Sequence, residues 1–144
     1  MTITQSISTI VLASFAMVTL PAAAATLTVD VENVRQADGK LYVSLQTADQ
    51  FMKNDGTYGT IVEAPAAGTV SVPVSGVAPG TYSISVWHDD DGNGEFDMGE
   101  RGPLDGWAML NGETMRAAPT FEATSLVIGE SDQSAAVTMI YGRK

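Results

Sequence analysis

The residues best suited to chemistry fall in one run, His88-Asp89-Asp90-Asp91-Gly92-Asn93-Gly94-Glu95-Phe96-Asp97-Met98-Gly99-Glu100. Counted from Asp89 as the first position, Asp91 is third, Asn93 fifth, Glu95 seventh, Asp97 ninth and Glu100 twelfth, with Gly94 at the sixth. This spacing fills every position of the calcium-loop pattern D-x-[DN]-x-[DN]-G-x5-E. The chemistry explains the spacing. Calcium takes about six to eight hard oxygen ligands, and a chain wrapped around the ion presents alternate residues inward. Glycine at the sixth position lets the backbone reverse, the seventh residue offers its carbonyl, and the glutamate at the twelfth closes the shell. Five of the 17 acids lie between Asp89 and Asp97, where they repel one another without a counter-ion. The expected metal ligands are therefore Asp89, Asp91, Asn93, Glu95, Asp97 and Glu100, with Ca2+ in a structural role. Magnesium demands a more rigid octahedron and keeps its waters. Zinc prefers His or Cys, and His88 is the one histidine in a chain without cysteine.

The flanks are not those of a helix–loop–helix. Thr81–His88 (TYSISVWH) alternates as a strand, and Arg101-Gly102-Pro103 follows the loop where an exiting helix would begin. The loop is therefore read in a strand–loop setting, and Glu100 is the weakest ligand of the set because no helix positions it.

Other chemistry finds little support. His88 ends a strand on the same face as Tyr82, Ile84 and Val86, which suits a structural residue. A general base needs a nucleophile partner, and no G-x-S-x-G elbow occurs. The acids cluster at ligand spacing rather than as an acid/base pair, so no catalytic residue is assigned and the chain is read as a non-enzyme. Trp87 faces away from His88, and Trp107 falls in a long second loop. Packing between sheets is the commoner fate of such rings. Trp107 or Tyr58 in a surface loop would serve the alternative reading, a carbohydrate- or envelope-binding module.

The elements that must position the loop are strands. Leu27/Val29/Val31, Leu41/Val43/Leu45, Val70/Val72/Val74 and Tyr82/Ile84/Val86 each alternate with polar residues, the period of a half-buried strand. Leu126/Ile128 and Val137/Met139/Tyr141 add two more, with a short edge strand at Thr60–Val62. Asp38-Gly39 reads as a hairpin signal, Val77-Ala78-Pro79-Gly80 as a turn, and Gly129–Asp132 as the turn of a closing hairpin. Ala48–Lys53 offers one helical turn at most. Short strands separated by turn signals predict a single all-β domain: an antiparallel β-sandwich of about seven strands, immunoglobulin-like or transthyretin-like.

Composition bounds the rest. The chain has 144 residues and a formal net charge of −10, which excludes a basic nucleic-acid binder and disfavours an anionic membrane surface. The absence of cysteine excludes disulfides, thiolate metal sites and a lipoprotein anchor. Ile7–Leu20 is apolar and is followed by Pro21 and four alanines, the pattern of a secretory signal rather than a transmembrane segment. Residues 1–25 are expected to be removed, leaving a domain over 26–144 in the periplasm or outside the cell.

The mature chain resembles the bacterial domain-of-unknown-function family 2141, small exported β-sandwich proteins. The resemblance is carried by Leu27-Thr28-Val29, Gly39-Lys40-Leu41-Tyr42-Val43 and Pro79-Gly80-Thr81-Tyr82. Its most specific part is the strand running into His88-Asp89, followed by Asp91-Gly92-Asn93-Gly94 and Asp97. Gly102-Pro103 and Pro119-Thr120-Phe121 also fit, whereas Leu104–Met109 departs from the family's usual Glu and Gly-Phe-Ser/Asn stretch. The resemblance implies the fold, export and the loop. It implies no reaction. The Pro-Gly-x-Tyr turn is also similar to those of transthyretin-like and collagen-adhesin B-type sandwiches.

Overall fold

The computed structural model describes residues 23–53 and 56–142. The apolar run Ile7–Leu20 lies outside them. Among the described residues ten strands form: β1 Ala25–Val34, β2 Leu41–Gln46, β3 Tyr58–Val62, β4 Gly68–Val77, β5 Gly80–His88, β6 Met98–Gly99, β7 Gly102–Pro103, β8 Gly106–Met109, β9 Ser125–Ile128 and β10 Gln133–Thr138.

The alternation read from sequence is the alternation that folds. Leu27, Val29 and Val31 of β1 are fully buried, as are Leu41 and Leu45 of β2 and Ile84 of β5. One sheet runs β10-β1-β4 and the other β3-β2-β5-β8. The edge of β5 is shared: β9 pairs with Gly80–Ser83 and β8 with Ser85–His88. The inward residues of both sheets meet in one apolar core, where each fully buried Val, Leu or Ile contributes about 1.5–3 kcal/mol relative to exposure. The fold is an all-β sandwich whose pairs are antiparallel except β1 with β10, which run parallel.

That parallel pair corrects the expected closing hairpin. β9 joins the second sheet through β5, while β10 crosses to the first sheet and lies beside β1. The Asp38-Gly39 and Pro79-Gly80 turns likewise link strands of opposite sheets, β1 to β2 and β4 to β5. Turn chemistry specifies that the chain reverses; which sheet receives the next strand is decided by where the apolar faces meet. Gly39 has a further duty. A Cβ there would lie 1.5 Å from the Asp89 carbonyl oxygen, so this turn packs against the start of the acidic loop.

The helical turn expected at 48–53 is instead two chained turns, closed by Gln50 N–H to Thr47 O at 3.0 Å and Lys53 N–H to Gln50 O at 2.9 Å. Met52 at φ 60° ends any helical path. A single helical turn, α1 (Phe121–Thr124), forms where none was read. The Thr120 side chain caps it by accepting from the Ala123 amide. Both tryptophans lie on the outer face of the second sheet rather than between the sheets, and Trp107 belongs to β8 rather than to a loop. Tyr58 opens β3, packs edge-on against Tyr82 at 5.7 Å and accepts the Ala78 amide, so it is not a free loop residue.

Candidate metal centre

The alternation along β5 sends His88 inward and Trp87 outward, and the chain leaves the strand at Asp89. The Asp89 amide donates to the Lys40 carbonyl at 3.0 Å, which holds the loop against the Asp38-Gly39 turn. The Asp89 side chain is buried, at 3% exposure. Its two oxygens accept the amides of Asn93 at 3.1 Å and Gly94 at 3.0 Å. The loop thus folds back over the first carboxylate. Gly94 permits this at φ 79°, a conformation that costs glycine little and other residues more.

The other loop residues follow in turn. Asp91 accepts the Asn93 amide at 3.2 Å. The Asn93 side-chain amide donates to Asp97 at 2.8 Å, and its oxygen accepts the Glu95 amide at 2.7 Å. β6 and β7 then form a small hairpin with Glu100 and Arg101 at its exposed tip.

The hairpin returns the chain to Asp105, which the loop pattern did not include. Asp105 is 1% exposed. Its Oδ2 accepts the Trp87 indole N–H at 2.9 Å and the Asp97 amide at 3.2 Å. Asp89, Asp91 and Asp105 each place a carboxylate oxygen within 4.8 Å of the others. Of the six expected ligands, the structure brings Asp89 and Asp91 together, with Asp97 and Asn93 tied to them by hydrogen bonds. The Glu95 side chain is exposed, and Glu100 stands at the hairpin tip outside the carboxylate trio. The twelve-position pattern ends at Glu100, so Asp105 was beyond its reach. The one local signal was Asp105-Gly106 immediately before the alternating Trp107–Met109.

The Lys40 ammonium feels the Asp89 charge but pairs with Glu63, at 3.1 Å between exposed side chains. Among the described residues, no lysine or arginine forms a salt bridge with Asp89, Asp91 or Asp105. Burial pushes the Asp105 carboxyl above its ordinary range, and the charges of Asp90 and Asp91 push it further; the hydrogen bonds from Trp87 and the Asp97 backbone pull it back. A divalent cation would reverse that balance. The donors that converge are carboxylate oxygens, which suit calcium or magnesium rather than zinc. On these grounds the residues fit a hard cation.

His88 stands apart from this oxygen set. It is fully buried, and its Nδ1 lies 2.8 Å from the Tyr141 hydroxyl. That hydroxyl also accepts the Arg35 amide at 3.0 Å, while the Arg35 guanidinium sits 4.2 Å above the Tyr141 ring. Burial lowers the His88 pKa, against the opposing pull of Asp90, Asp89 and Asp105. Burial likewise raises that of Tyr141, so the phenol keeps its proton. His88 Nδ1 and the Tyr141 hydroxyl share one hydrogen bond, and Nε2 has no hydrogen-bond partner among the described residues.

No curated protein and no solved structure matches the chain. A family model described as an uncharacterized protein conserved in bacteria, DUF2141, matches residues 29–136, from the third β1 core position through the acidic loop, Asp105 and into β10, and the chain belongs to that family.

Proposed function

We propose that the protein is an exported, non-enzymatic β-sandwich module whose acidic loop binds one calcium ion in a structural role. The observation that carries this reading is the convergence of two buried carboxylates, Asp89 and Asp105, with Asp91, none of which forms a salt bridge with a basic side chain among the described residues. Buried charges are ordinarily paired or bound to a metal. Asp89, Asp91 and Asp105 supply the inner carboxylates. Asn93, the Glu95 carbonyl and Asp97 complete the oxygen set that the spacing calls for. The ion would order the chain from Asp89 to Asp105 and fix it against the end of β5. Export is supported by the apolar run and alanine-rich site that precede β1.

Calorimetry and thermal melting of the mature protein test this. A ligand that binds only the folded state stabilises by RT ln(1 + [L]/Kd), about 2.7 kcal/mol at a hundredfold excess over Kd. Calcium should raise the melting temperature, and a chelator should return it. Equal amounts of magnesium should produce a smaller shift, because magnesium gives up its waters reluctantly and demands a stricter octahedron than calcium. No heat and no shift at millimolar calcium would leave the loop an acidic turn.

A further inference from the structure

The strand registers line up one apolar row across the whole outer face of the second sheet. Ile61 of β3 pairs with Tyr42 of β2, Tyr42 with Trp87 of β5, and Trp87 with Trp107 of β8; Trp107 bridges to Ile140. At about 4.8 Å per strand the row is roughly 19 Å long. Phe96 from the acidic loop packs edge-on to Trp87 at 6.0 Å, extending the row toward the loop. Ile61 is 54% and Phe96 46% exposed, with Met98 63% exposed just beyond. Large apolar side chains continuous on a solvent-facing sheet mark an interaction surface.

The charge around the row selects its partner. The segment Asp89–Arg101 holds six acids and one base, and Glu113 with Arg116 lies beside Trp107 and Ile140, so the border is negative in sum. Glu95 and Asp97 flank Phe96 in the chain, and Asp105 holds the Trp87 indole. With a net charge of −10 on the chain, a second copy or any anionic partner meets repulsion. A sugar finds little open ring at Trp87, where Tyr42 stacks at 4.4 Å and 12° and Phe96 crowds another side. We propose that this face, an aromatic row with an acidic border, docks the surface of a basic protein in which lysine or arginine surrounds an apolar centre. Aromatic anchors in the middle with charges at the rim are the anatomy of such interfaces. Opposite charge sets the approach and the choice of partner.

The test uses a short peptide alternating arginine with leucine and a counterpart with glutamate in place of arginine. Binding is followed by the indole N–H resonances of Trp87 and Trp107, in parallel with calcium and with chelator, so that a failure of the calcium reading is told apart from a failure of docking. The arginine peptide should shift both resonances, and the glutamate peptide neither. The double variant Ile61→Ser, Phe96→Ser keeps every charge and changes only exposed side chains, so its fold should persist; it should bind about tenfold more weakly or worse. Unchanged binding by that variant would reduce the effect to bulk charge and overturn the proposal. Shifts with neutral cellotetraose but not with the arginine peptide would overturn it in favour of a glycan. Concentration-dependent dimerisation that protects the row would overturn it in favour of a second copy.

Discussion

Asp105 accepts the Trp87 indole N–H at 2.9 Å, and this one hydrogen bond joins the acidic loop to the aromatic face of the second sheet. Trp87 is placed by β5, which is locked between β2 and β8. Asp105 is therefore the ligand candidate with the most rigid support. The loop carboxylates depend on one another and on backbone amides for their positions.

Asp105→Asn separates a metal ligand from a structural carboxylate. The asparagine oxygen can still accept from Trp87 and from the Asp97 amide, while the buried charge is removed. Because burial and neighbouring acids raise the Asp105 pKa, its ionised form opposes folding at neutral pH. The metal-free variant should therefore melt no lower than the parent, and the calcium-induced rise should shrink sharply. Glu100→Ala, at the exposed hairpin tip, should leave that rise nearly intact. Thermal melts with calcium and with chelator check all three proteins. A full calcium response in Asp105→Asn would remove Asp105 from the site.

Gly39→Ala should damage the loop from outside it. The added Cβ would fall 1.5 Å from the Asp89 carbonyl oxygen and 3.3 Å from the Gly92 amide nitrogen. Both are backbone atoms that cannot rotate away, so the loss should reach the upper end of the about 1–3 kcal/mol typical of overpacking. Gly129→Ala is the control, since nothing lies within 4 Å of its added Cβ; it should change stability by less than about 0.5 kcal/mol. Urea unfolding of both variants measures the difference.

The same contrast shows what the sequence could reveal. Leu41, Val43 and Leu45 announce a strand because burial of one face forces a period of two, and the structure keeps that face inward. The Asp89-to-Asp97 spacing announces a tight acidic loop because its hydrogen bonds are local. Gly39 was legible as a turn but not as the floor under Asp89, since that contact joins segments 50 residues apart in the chain. Asp105 was hidden for the same reason: the β6–β7 hairpin intervenes, and no local pattern says how far it folds back. The tryptophans misled because large aromatics usually fill a core. Here valines, leucines and isoleucines fill it, and β5 turns Trp87 outward by parity with His88.

Acid should weaken the fold through His88 before the carboxylates titrate. Burial keeps this imidazole neutral and lowers its pKa from an ordinary 6.5. Between that value and the lower folded one, the unfolded chain binds more protons, so stability is held above about pH 6.5 and falls as the solution is acidified. Asp105 has the opposite sign, gaining stability on protonation, so the comparison belongs in the Asp105→Asn background. There, stability measured from about pH 7 to pH 5.5 should decline, and His88→Gln should flatten the decline. Tyr141→Phe removes the hydroxyl shared by His88 and the Arg35 amide. It should cost about 1–3 kcal/mol at neutral pH, the penalty for leaving the buried His88 Nδ1 unpaired. An unchanged pH slope in His88→Gln would assign the acid sensitivity to other groups.

Export should leave Ala25 as the first residue, one position earlier than the removal of residues 1–25 expected from sequence, because Ala25 is buried in β1. Small residues at positions 22 to 25 permit cleavage after Ala24 or after Ala25. The two sites differ in what they leave of β1. Ala25 is 1% exposed, pairs with Val77 and belongs to the core, whereas Ala23 and Ala24 are exposed. Cutting after Ala24 preserves the strand; cutting after Ala25 removes a core side chain and one rung of the β1–β4 ladder. The Thr26 amide, which donates to Asp132 at 2.7 Å, would then become the chain terminus. Intact-mass spectrometry of protein recovered from the periplasm of an exporting host should give a mature chain starting at Ala25. A recombinant chain starting at Thr26 should melt below one starting at Ala25. A soluble product that retains Met1 would overturn export itself.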